Sequence, residues 1–298
     1  MNILVTGANG QLGRELRRAS KGSSHRFIFS DVTELPGEET VYLDITNKDA
    51  LSLIAQSEQI DLFINCAAYT AVNRAEADVQ MAELLNHYAA ENLAMVAKES
   101  GTELIHISTD YIFCGTKRST PYKECDLAEP CNVYGSTKLA GERSITRSGC
   151  KYIIIRTAWL YSTFGRNFVK TMLEMLSGSK DVKVVCDAVG SPTYARDLAY
   201  VIMHIIEKGM LDETGIYHYT DEGVASWYDF AQAIKEYSGK PAKVVAINNE
   251  DFPNAARRPS YSVLDKTLIK ETFSIEIPYW RDSLKKCLEE YETDKQQV

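Results

Sequence analysis

An apolar run near the start of the chain passes directly into a turn that contains three glycines. Residues 2–6 are typical of a buried strand, the turn spaces Gly7, Gly10 and Gly13 as G-x-x-G-x-x-G, and residues 14–18 begin a helical pattern. Glycines permit a tight turn and let backbone N–H groups approach a pyrophosphate at the positive end of the helix. The segment predicts a dinucleotide-binding unit, although a glycine triplet taken alone fits an ordinary strand–helix turn equally well.

Four further apolar runs alternate with helical patterns. These runs are residues 26–30, 62–68, 103–109 and 152–159. Their β-α-β-α order predicts an α/β fold, a Rossmann-type doubly wound parallel sheet with helices on both faces. The rhythm loosens after about residue 160, so we expect an NAD(P)-binding domain at 1–160. Residues 161–298 should form mainly a smaller substrate-binding lobe, partly interwoven with the sheet.

Small and charged residues follow two of these runs. Asp31 lies about 20 residues past the glycines, where a carboxylate accepts hydrogen bonds from the adenosine ribose and repels a 2′-phosphate. Ala67 and Ala68 end the third run, and such small side chains let a cofactor lie close. Arg14, one residue past the third glycine, is placed to offset the repulsion. We therefore expect both NADH and NADPH to be used, with NADH preferred.

Tyr134-Gly-Ser-Thr-Lys138 carries the strongest catalytic signal. Residues four apart share one face of a helix, so the phenol and the ammonium should point the same way. A nearby positive charge lowers the pKa of a phenol, which makes Tyr134 a candidate proton donor near neutral pH. Tyr291 and Lys295 have the same spacing but no cofactor motif around them, and we interpret that pair as chance.

Composition narrows the partners and the compartment. A net charge of −8 argues against nucleic acid as the main partner, since phosphate binding needs a basic surface. No apolar run approaches the ~20 residues of a membrane helix, and the glycine turn follows the first residues too closely for a signal peptide. Seven cysteines, an odd number without a Cys-x-x-Cys pair, favour reduced thiols in the cytoplasm.

Two further features involve residues that could bind ligands. His106 alternates with apolar residues and has no second ligand nearby, so a metal site is not expected there. Arg257 and Arg258 precede Pro259 and form a basic cluster in a negatively charged protein. Such a cluster is usually a solvated loop, but two guanidiniums ahead of a fixed turn also suit a diphosphate.

Taken together, the motifs resemble the extended short-chain dehydrogenase/reductases. The segments that carry the resemblance are 7–13, 65–72, 108–113, 132–142, 156–159, 167–172, 190–193 and 258–259. They run in order over nearly the whole chain. The resemblance implies reduction of the C4 ketone of dTDP-4-dehydro-β-L-rhamnose by NADH or NADPH, giving dTDP-L-rhamnose for bacterial surface polysaccharide.

The resemblance also implies roles for individual residues. Tyr134 would supply the proton, Lys138 would lower its pKa and hold the nicotinamide ribose, and Thr109 would hydrogen-bond the carbonyl oxygen. The implied cofactor contacts are Gly7, Asn9, Gly10, Gln11, Leu12, Gly13, Asp31, Asp44, Ile45, Ala67, Ala68, Tyr69, Thr70, Ile107, Tyr134 and Lys138. The implied sugar-nucleotide contacts are Val72, Thr109, Asp110, Trp159 and Arg258.

Several positions depart from the family pattern. Relatives commonly have His at Tyr69, Asp at Asn73 and Asp at Cys114. Some relatives dimerise around magnesium through glutamates, and Arg196 stands where one of those carboxylates would be. We therefore do not expect a magnesium site, whereas a homodimer stays compatible with the resemblance.

Two alternatives to the reductase remain. One is a nucleotide-sugar epimerase or dehydratase on the same fold; dehydratases usually carry an acidic pair after the active-site Thr, and here only Asp110 follows Thr109. The other is a non-catalytic NAD(P)-binding regulatory subunit. Intact Thr109, Tyr134 and Lys138 argue against it, because a protein that only binds has no need of a proton donor.

Overall fold

The computed structural model describes residues 1–115, 119–251 and 256–296. The strands are β1 (Asn2–Thr6), β2 (Arg26–Asp31), β3 (Val41–Tyr42), β4 (Leu62–Asn65), β5 (Glu103–Thr109), β6 (Tyr152–Thr157), β7 (Leu160–Tyr161), β8 (Val182–Val185), β9 (Val189–Gly190), β10 (Thr193–Tyr194), β11 (Gly215–His218), β12 (Ala225–Ser226) and β13 (Val244–Ile247). The helices are α1 (Gln11–Ala19), α2 (Lys48–Ser57), α3 (Val72–Ala75), α4 (Val79–Glu83), α5 (Ala89–Ser100), α6 (Val133–Ser148), α7 (Phe168–Leu176), α8 (Ala195–Glu207), α9 (Trp227–Ser238), α10 (Thr267–Phe273) and α11 (Trp280–Gln296).

Seven strands form one parallel sheet in the order β11-β6-β5-β4-β1-β2-β3. The chain adds β2 and β3 on one side of β1 and then adds β4, β5 and β6 on the other side. The strand order therefore reverses between β1 and β4. A crevice opens at the carboxyl ends of strands at such a reversal, and ligands bind there. The predicted fold class is confirmed. The seventh strand, β11, comes from the second half of the chain and pairs with β6.

Burial on both faces explains why these strands are continuous apolar runs. Side chains alternate across a strand, so Ile3 and Val5 pack on one face of the sheet and Leu4 on the other. Helices α1 and α8 cover the first face, and α2 and α5 cover the second. No helix in the described part of the chain is both long and apolar enough to cross a bilayer.

A separate apolar cluster lies in the second half of the chain. Helices α7, α9 and α11 pack around the parallel pair β8 and β13, with Tyr161, Phe230 and Trp280 among the buried rings. Ser226 begins α9 with a capping box, because its side chain and that of Asp229 exchange hydrogen bonds with each other's backbone. The cluster gives this half a core of its own beside the sheet.

The helical segment that follows β4 is interrupted. Helix α3 ends at Ala75, α4 begins at Val79, and a π-helical turn at Leu84–Tyr88 leads into α5. The π turn carries the buried Asn86, whose amide donates to the Tyr69 carbonyl at 3.1 Å and accepts from the Tyr69 N–H at 2.8 Å. This side chain thereby fixes the segment that follows β4, which forms one wall of the site.

Candidate active site

A cavity of about 660 Å³ lies at the carboxyl ends of β1, β2, β4, β5 and β6. Its volume falls within the range of small-molecule sites. The predicted residues that line it are Gly7, Gly10, Gln11, Leu12, Gly13, Asp31, Asp44, Ile45, Ala67, Ala68, Thr70, Val72, Ile107, Thr109, Asp110, Tyr134, Lys138, Trp159 and Arg258. The fold therefore gathers both the glycine turn and the Tyr–Lys pair into one space.

Two of the predicted cofactor contacts are not brought to the cavity wall. The side chain of Asn9 turns away from it, and its Nδ2 donates to the Thr33 carbonyl at 2.6 Å. The hydroxyl of Tyr69 donates to Asp78 at 3.0 Å instead of facing the cavity. The Asn9 backbone still belongs to the site's frame, because its N–H donates to Asp31.

The glycine turn is shaped for close approach of a phosphate group. Gly7 has a φ of +65°, and a Cβ there would lie 2.6 Å from the Ala67 backbone nitrogen. A Cβ on Gly13 would lie 2.5 Å from the Ala8 Cα. Since the first bond within α1 runs from the Arg14 N–H to the Gly10 carbonyl, the N–H groups of Gln11, Leu12 and Gly13 precede the helical ladder. These three residues line the cavity at the positive end of the helix, where their N–H groups fit an anion.

Asp31 is held at the cavity rim by three hydrogen bonds. Its Oδ2 accepts from the Asn9 N–H at 3.1 Å, and its Oδ1 accepts from the Thr33 N–H and hydroxyl at 3.0 and 2.8 Å. Arg14, which we expected to offset its charge, stacks on the Phe164 ring with 4.0 Å between Cζ and the ring centroid. The carboxylate is therefore the charged group at this end of β2 that lines the cavity.

Helix α6 places Tyr134 in its first turn. Asn132 caps the helix by accepting from the Gly135 N–H at 2.8 Å. A Cβ on Gly135 would lie 2.1 Å from the Tyr111 carbonyl oxygen, so glycine alone lets α6 approach this closely. The rings of Tyr111 and Tyr134 meet edge to face, with centroids 5.6 Å apart. This packing fixes the phenol against the end of β5.

Thr109 ends β5 beside the phenol. Its hydroxyl accepts from the Tyr111 N–H and donates to the Asp110 carboxyl, each at 3.2 Å, and it also hydrogen-bonds Tyr134. Burial raises the pKa of Asp110 to about 7. Thr109 and Asp110, which are buried, and Tyr134, which is half-buried, thus form one polar group at the inner wall of the cavity.

Lys138 lies one turn further along α6 and is 1% exposed. Its Nζ donates to the Ile107 carbonyl at 2.7 Å and lies 3.2 Å from Nε2 of His106. Burial lowers the pKa of Lys138 to about 8, against the smaller opposing effect of Glu142. Tyr134 and Lys138 share a face, as the spacing predicts, and both line the cavity.

The predicted effect of Lys138 on the phenol is wrong for this structure. Burial raises the pKa of Tyr134 well above its ordinary value, and Thr109 opposes that rise while Asp110 and Tyr111 add to it. Lys138 is not among the groups that shift this pKa, and its nitrogen donates to the Ile107 carbonyl. Spacing along a helix predicts a shared face, but it does not predict the depth at which that face is buried.

Several cavity residues were not predicted. Trp227, at the start of α9, stacks on Trp159 with ring centroids 3.7 Å apart. Arg166 and Asn167 line the cavity from the segment before α7. Asn167 had a signal, since it lies in a segment that carries the family resemblance. Trp227 had none, because its contact with Trp159 joins segments far apart in the sequence.

Arg196, which stands where the resemblance implied a magnesium-binding carboxylate, forms ion pairs with two glutamates. Its guanidinium pairs with Glu15 at 3.2 Å and also with Glu290, and Glu290 accepts from the Tyr194 hydroxyl at 2.8 Å. No cluster of metal-binding side chains occurs in residues 1–115, 119–251 and 256–293. A guanidinium cannot coordinate a cation, and here it neutralises the two glutamates itself.

The doubly wound sheet, the glycine turn at its reversal point and the Tyr134–Lys138 pair define a short-chain dehydrogenase/reductase. Comparison with known proteins narrows the class. The family model described as "RmlD substrate binding domain" matches residues 1–293. The chain belongs to this family, that of the dTDP-4-dehydrorhamnose reductases.

Individual relatives are similar to this chain over nearly their whole lengths. The dTDP-4-dehydrorhamnose reductase of Aggregatibacter actinomycetemcomitans is 41% identical over 294 residues, 95% of this chain and 97% of that protein. The crystal structure of a dTDP-4-dehydrorhamnose reductase from Clostridium acetobutylicum covers 100% of both chains at 40% identity and a TM-score of 0.90. That from Bacillus anthracis, in complex with NADP, covers 97% of this chain and 99% of its own at 34% identity and a TM-score of 0.89.

Proposed function

We propose that this protein reduces the C4 ketone of dTDP-4-dehydro-β-L-rhamnose to the alcohol of dTDP-L-rhamnose, with NADH or NADPH as the reductant. The observation that carries the proposal is the convergence of Thr109, Tyr134 and Lys138 on one cavity that also contains the glycine turn. Family membership supplies the substrate, since the relatives carry the name of this reductase.

The residues present fit a nicotinamide dinucleotide. The turn from Gly7 to Gly13 has the close backbone approach that a pyrophosphate needs, and it leads into the N-terminal end of α1 at the cavity. Asp31 is placed to accept from the adenosine ribose, and Lys138 and Ile107 lie beside the catalytic wall. When bound there, the reduced nicotinamide supplies the hydride to the carbonyl carbon.

Tyr134 completes the reduction by giving its phenolic proton to the ketone oxygen. Its O–H bond breaks as the alcohol O–H bond forms, and the phenolate is later reprotonated from solvent. The raised pKa of Tyr134 keeps the phenol in its donor form through neutral pH. Transfer is still favourable, because hydride addition to the carbonyl carbon turns the ketone oxygen into an alkoxide, a stronger base than a phenolate.

Thr109 stabilises the charge that develops on that oxygen. Its hydroxyl is fixed by the Tyr111 N–H and lies within hydrogen-bonding reach of Tyr134. In this structure the one proton of that hydroxyl is donated to Asp110 at 3.2 Å, so its O–H bond turns toward the ketone oxygen when the sugar binds. The two hydroxyls are therefore placed to bind one oxygen atom.

Consumption of cofactor tests this function. The purified protein, given the 4-keto sugar nucleotide and NADH or NADPH, should remove the absorbance band of the reduced nicotinamide, one cofactor oxidised per sugar reduced. An epimerase would convert sugar without net oxidation, and a binding-only subunit would convert none. Either outcome would contradict the proposal.

Arg258 should bind the diphosphate of the sugar nucleotide. It lines the cavity, and its buried Nε has no hydrogen-bond partner among the described residues. Loss of one hydrogen bond to a charged group removes about 1.5–3 kcal/mol. We expect Arg258→Met to raise KM for the sugar nucleotide roughly 10–100-fold with little change in cofactor KM, as measured by initial rates.

Arg257 provides the control for this variant. It is exposed and lies outside the cavity lining, although it directly precedes Arg258. Arg257→Met removes the same charge and should leave KM within about twofold. Equal effects of the two variants would mean that only general charge attraction acts, and that Arg258 does not contact the substrate.

Asp31 should set the cofactor preference. A 2′-phosphate beside this carboxylate meets a like charge, worth on the order of 1–4 kcal/mol depending on solvent exposure. We expect both cofactors to work with NADH preferred, and Asp31→Ala to narrow or reverse the ratio of kcat/KM values. Glu34→Ala, an exposed acid outside the lining, should leave the ratio unchanged. A wild-type preference for NADPH beyond about tenfold would contradict this interpretation of Asp31.

We further propose which part of the chain binds each ligand, the compartment in which the enzyme acts and its oligomeric state. Residues 1–160 would hold the cofactor and 161–298 mainly the sugar nucleotide; in support, Arg166, Trp227 and Arg258 reach the cavity from the second part. The protein would act in the cytoplasm as a homodimer that needs no magnesium, since Arg196 occupies the two glutamates. Sedimentation with EDTA and with magnesium tests the assembly.

A further inference from the structure

A line of buried hydrogen bonds connects the sheet to Lys138. The Thr6 hydroxyl donates to Oδ1 of Asn65 at 2.8 Å, Nδ2 of Asn65 lies 3.0 Å from Nδ1 of His106, and Nε2 of His106 lies 3.2 Å from the Lys138 nitrogen. Each of these four side chains is 1% exposed. Water therefore cannot supply alternative partners, and each atom must find its donor or acceptor within the line.

The backbone fixes the direction of these bonds. The Ala67 N–H, which can only donate, lies 3.1 Å from one terminal atom of the Asn65 amide, so that atom is the oxygen. Nδ2 then points at His106 and donates to Nδ1. A neutral imidazole has one proton, which must be on Nε2. Burial and Lys138 hold the pKa of His106 well below its ordinary value, so the ring is neutral.

This direction determines which form of Lys138 fits. The Nε2–H of His106 points at the Lys138 nitrogen, and an ammonium offers three donors and no acceptor. A neutral amine fits, because its lone pair accepts from His106 while one of its N–H bonds donates to the Ile107 carbonyl at 2.7 Å.

We propose that Asn65 and His106 are positioning residues that favour Lys138 as a neutral amine in the cofactor-free protein, the form that prevails on the alkaline side of neutrality, and that Lys138 there takes up a proton when the nicotinamide cofactor binds. The inference rests on the proposed function in one respect, since it needs Lys138 to meet the cofactor. The ammonium is the form that donates best to ribose hydroxyls, so binding pulls Lys138 from the amine form to the charged form.

The other ionisable groups around Lys138 do not force it into the ammonium form. Cys66, at the end of β4, has a thiol whose pKa burial raises to about 12, so it brings no charge. Glu142, one turn along α6, favours the ammonium, but Arg156 and Ser108 already bond its carboxylate. The Tyr134 phenol is neutral because its pKa is raised. Burial, which favours the amine, is the largest influence on Lys138.

The linkage has a measurable sign. If the pKa of Lys138 is lower in the free protein than in the complex, binding takes up a proton at pH values between the two. In that window the Kd for NADH rises about tenfold per pH unit. Because burial places the pKa of free Lys138 at about 8, the window opens on the alkaline side of neutrality.

Calorimetry without any sugar tests the proposal. NADH is titrated into the protein near pH 8.5 in two buffers of different ionisation enthalpy, and the dependence of the heat on the buffer gives the number of protons bound. We expect uptake of about three-quarters of a proton in the wild type, since a group with a pKa of about 8 is roughly three-quarters deprotonated at pH 8.5. His106→Gln, whose amide oxygen can accept from an ammonium, should lower the uptake toward zero and flatten the pH dependence of Kd.

A second variant changes the direction of the bonds without changing shape. Asn65→Asp keeps an oxygen for Thr6 and Ala67 and presents another to His106, which moves the imidazole proton to Nδ1 and leaves Nε2 as an acceptor for the ammonium. Uptake should fall here too. His87→Gln, which alters a histidine bonded to Ser144 away from the cavity, should leave uptake unchanged.

The outcomes separate the inference from the function beneath it. NADH binding without proton uptake in the wild type, or full uptake in both His106→Gln and Asn65→Asp, would overturn the inference alone. Failure of NADH and NADPH to bind at all would overturn the proposed function, and the inference with it.

Discussion

Tyr134→Phe should lower turnover of the 4-keto sugar at least about 10²-fold while leaving cofactor affinity nearly intact. The substitution removes one oxygen, and with it the proton that the reduced ketone must receive. The ring still packs against Tyr111, whose centroid is 5.6 Å away, so the wall of the cavity should keep its shape. Single-turnover rates and the Kd for NADH, measured on the same sample, separate loss of chemistry from loss of binding.

The control is a tyrosine whose hydroxyl also forms a hydrogen bond but which lies outside the cavity. Tyr217 lies on β11, and its hydroxyl donates to the Glu213 carbonyl at 3.0 Å, outside the cavity lining. Tyr217→Phe should keep turnover within about threefold of the wild type. Near-normal turnover in Tyr134→Phe would mean that another group is the acid, and the mechanism proposed above would be wrong.

The acidity of this phenol also predicts a pH dependence. Because the pKa of Tyr134 is raised, its donor form is complete at neutral pH and persists into alkaline solution. Lys138, with a pKa of about 8, loses its charge first. The kcat/KM for NADH, which reports the free protein, should therefore fall with the charge of Lys138 from about pH 8 upward, and His106→Gln should move this fall to higher pH.

The fold could be predicted because its strands are buried on both faces. Apolar runs such as those that become β4 and β5 have no polar face, and together with the helical patterns between them they imply a parallel sheet. The glycine spacing and the Tyr134–Lys138 pair then place the cofactor site at the carboxyl edge. These are local signals, and each depends only on residues that are near in sequence.

What could not be predicted depends on contacts between distant segments. Trp227 reaches the cavity because α9 packs beside Trp159, and no local pattern records that contact. His106 appears in the sequence only as a polar residue within an apolar strand. Its bond to Lys138 exists because α6 lies against β5. The direction of that bond depends on the Ala67 N–H, which orients the Asn65 amide, and this amide in turn orients His106.

Arg156 and Glu142 lie directly behind the catalytic wall and form a buried ion pair. The guanidinium of Arg156 donates to Glu142 through Nε at 3.0 Å and through a terminal nitrogen at 2.8 Å, and the two side chains are 5% and 2% exposed. Ser108, just before Thr109, donates to the same carboxylate. The pair thus ties the Tyr134 helix to the two central strands β5 and β6.

The rest of the guanidinium is also satisfied. Another terminal nitrogen of Arg156 lies 3.3 Å from the Glu124 carbonyl and 3.3 Å from Nε2 of His218. Nδ1 of His218 faces the Tyr122 carbonyl at 3.1 Å and must donate to it, which leaves Nε2 free to accept from Arg156. Burial and Arg156 lower the pKa of His218 to about 3, so the ring adds no second positive charge.

Arg156→Met should therefore destabilise the protein by about 3–5 kcal/mol, because it leaves the Glu142 carboxylate buried without its counter-ion. Urea denaturation measures this loss. Lys48→Met breaks an ion pair with Glu99 of similar length, 2.7 Å, but with side chains 33% and 56% exposed, and should cost less than about 1 kcal/mol. The two variants should differ in lost stability because the Arg156–Glu142 pair is buried and the Lys48–Glu99 pair is not, although the two ion pairs have similar lengths.

A double variant tests that explanation. If the penalty in Arg156→Met comes from an unpaired charge, Arg156→Met combined with Glu142→Gln should recover most of the lost stability, since no buried carboxylate remains. If the penalty comes from lost packing of the long Arg side chain, the second substitution should recover nothing.

Turnover of the double variant should stay low even when its stability returns. The hydrogen bonds that hold α6 against β5 and β6 are lost in this variant, and these bonds place Tyr134 and Lys138 at the cavity wall.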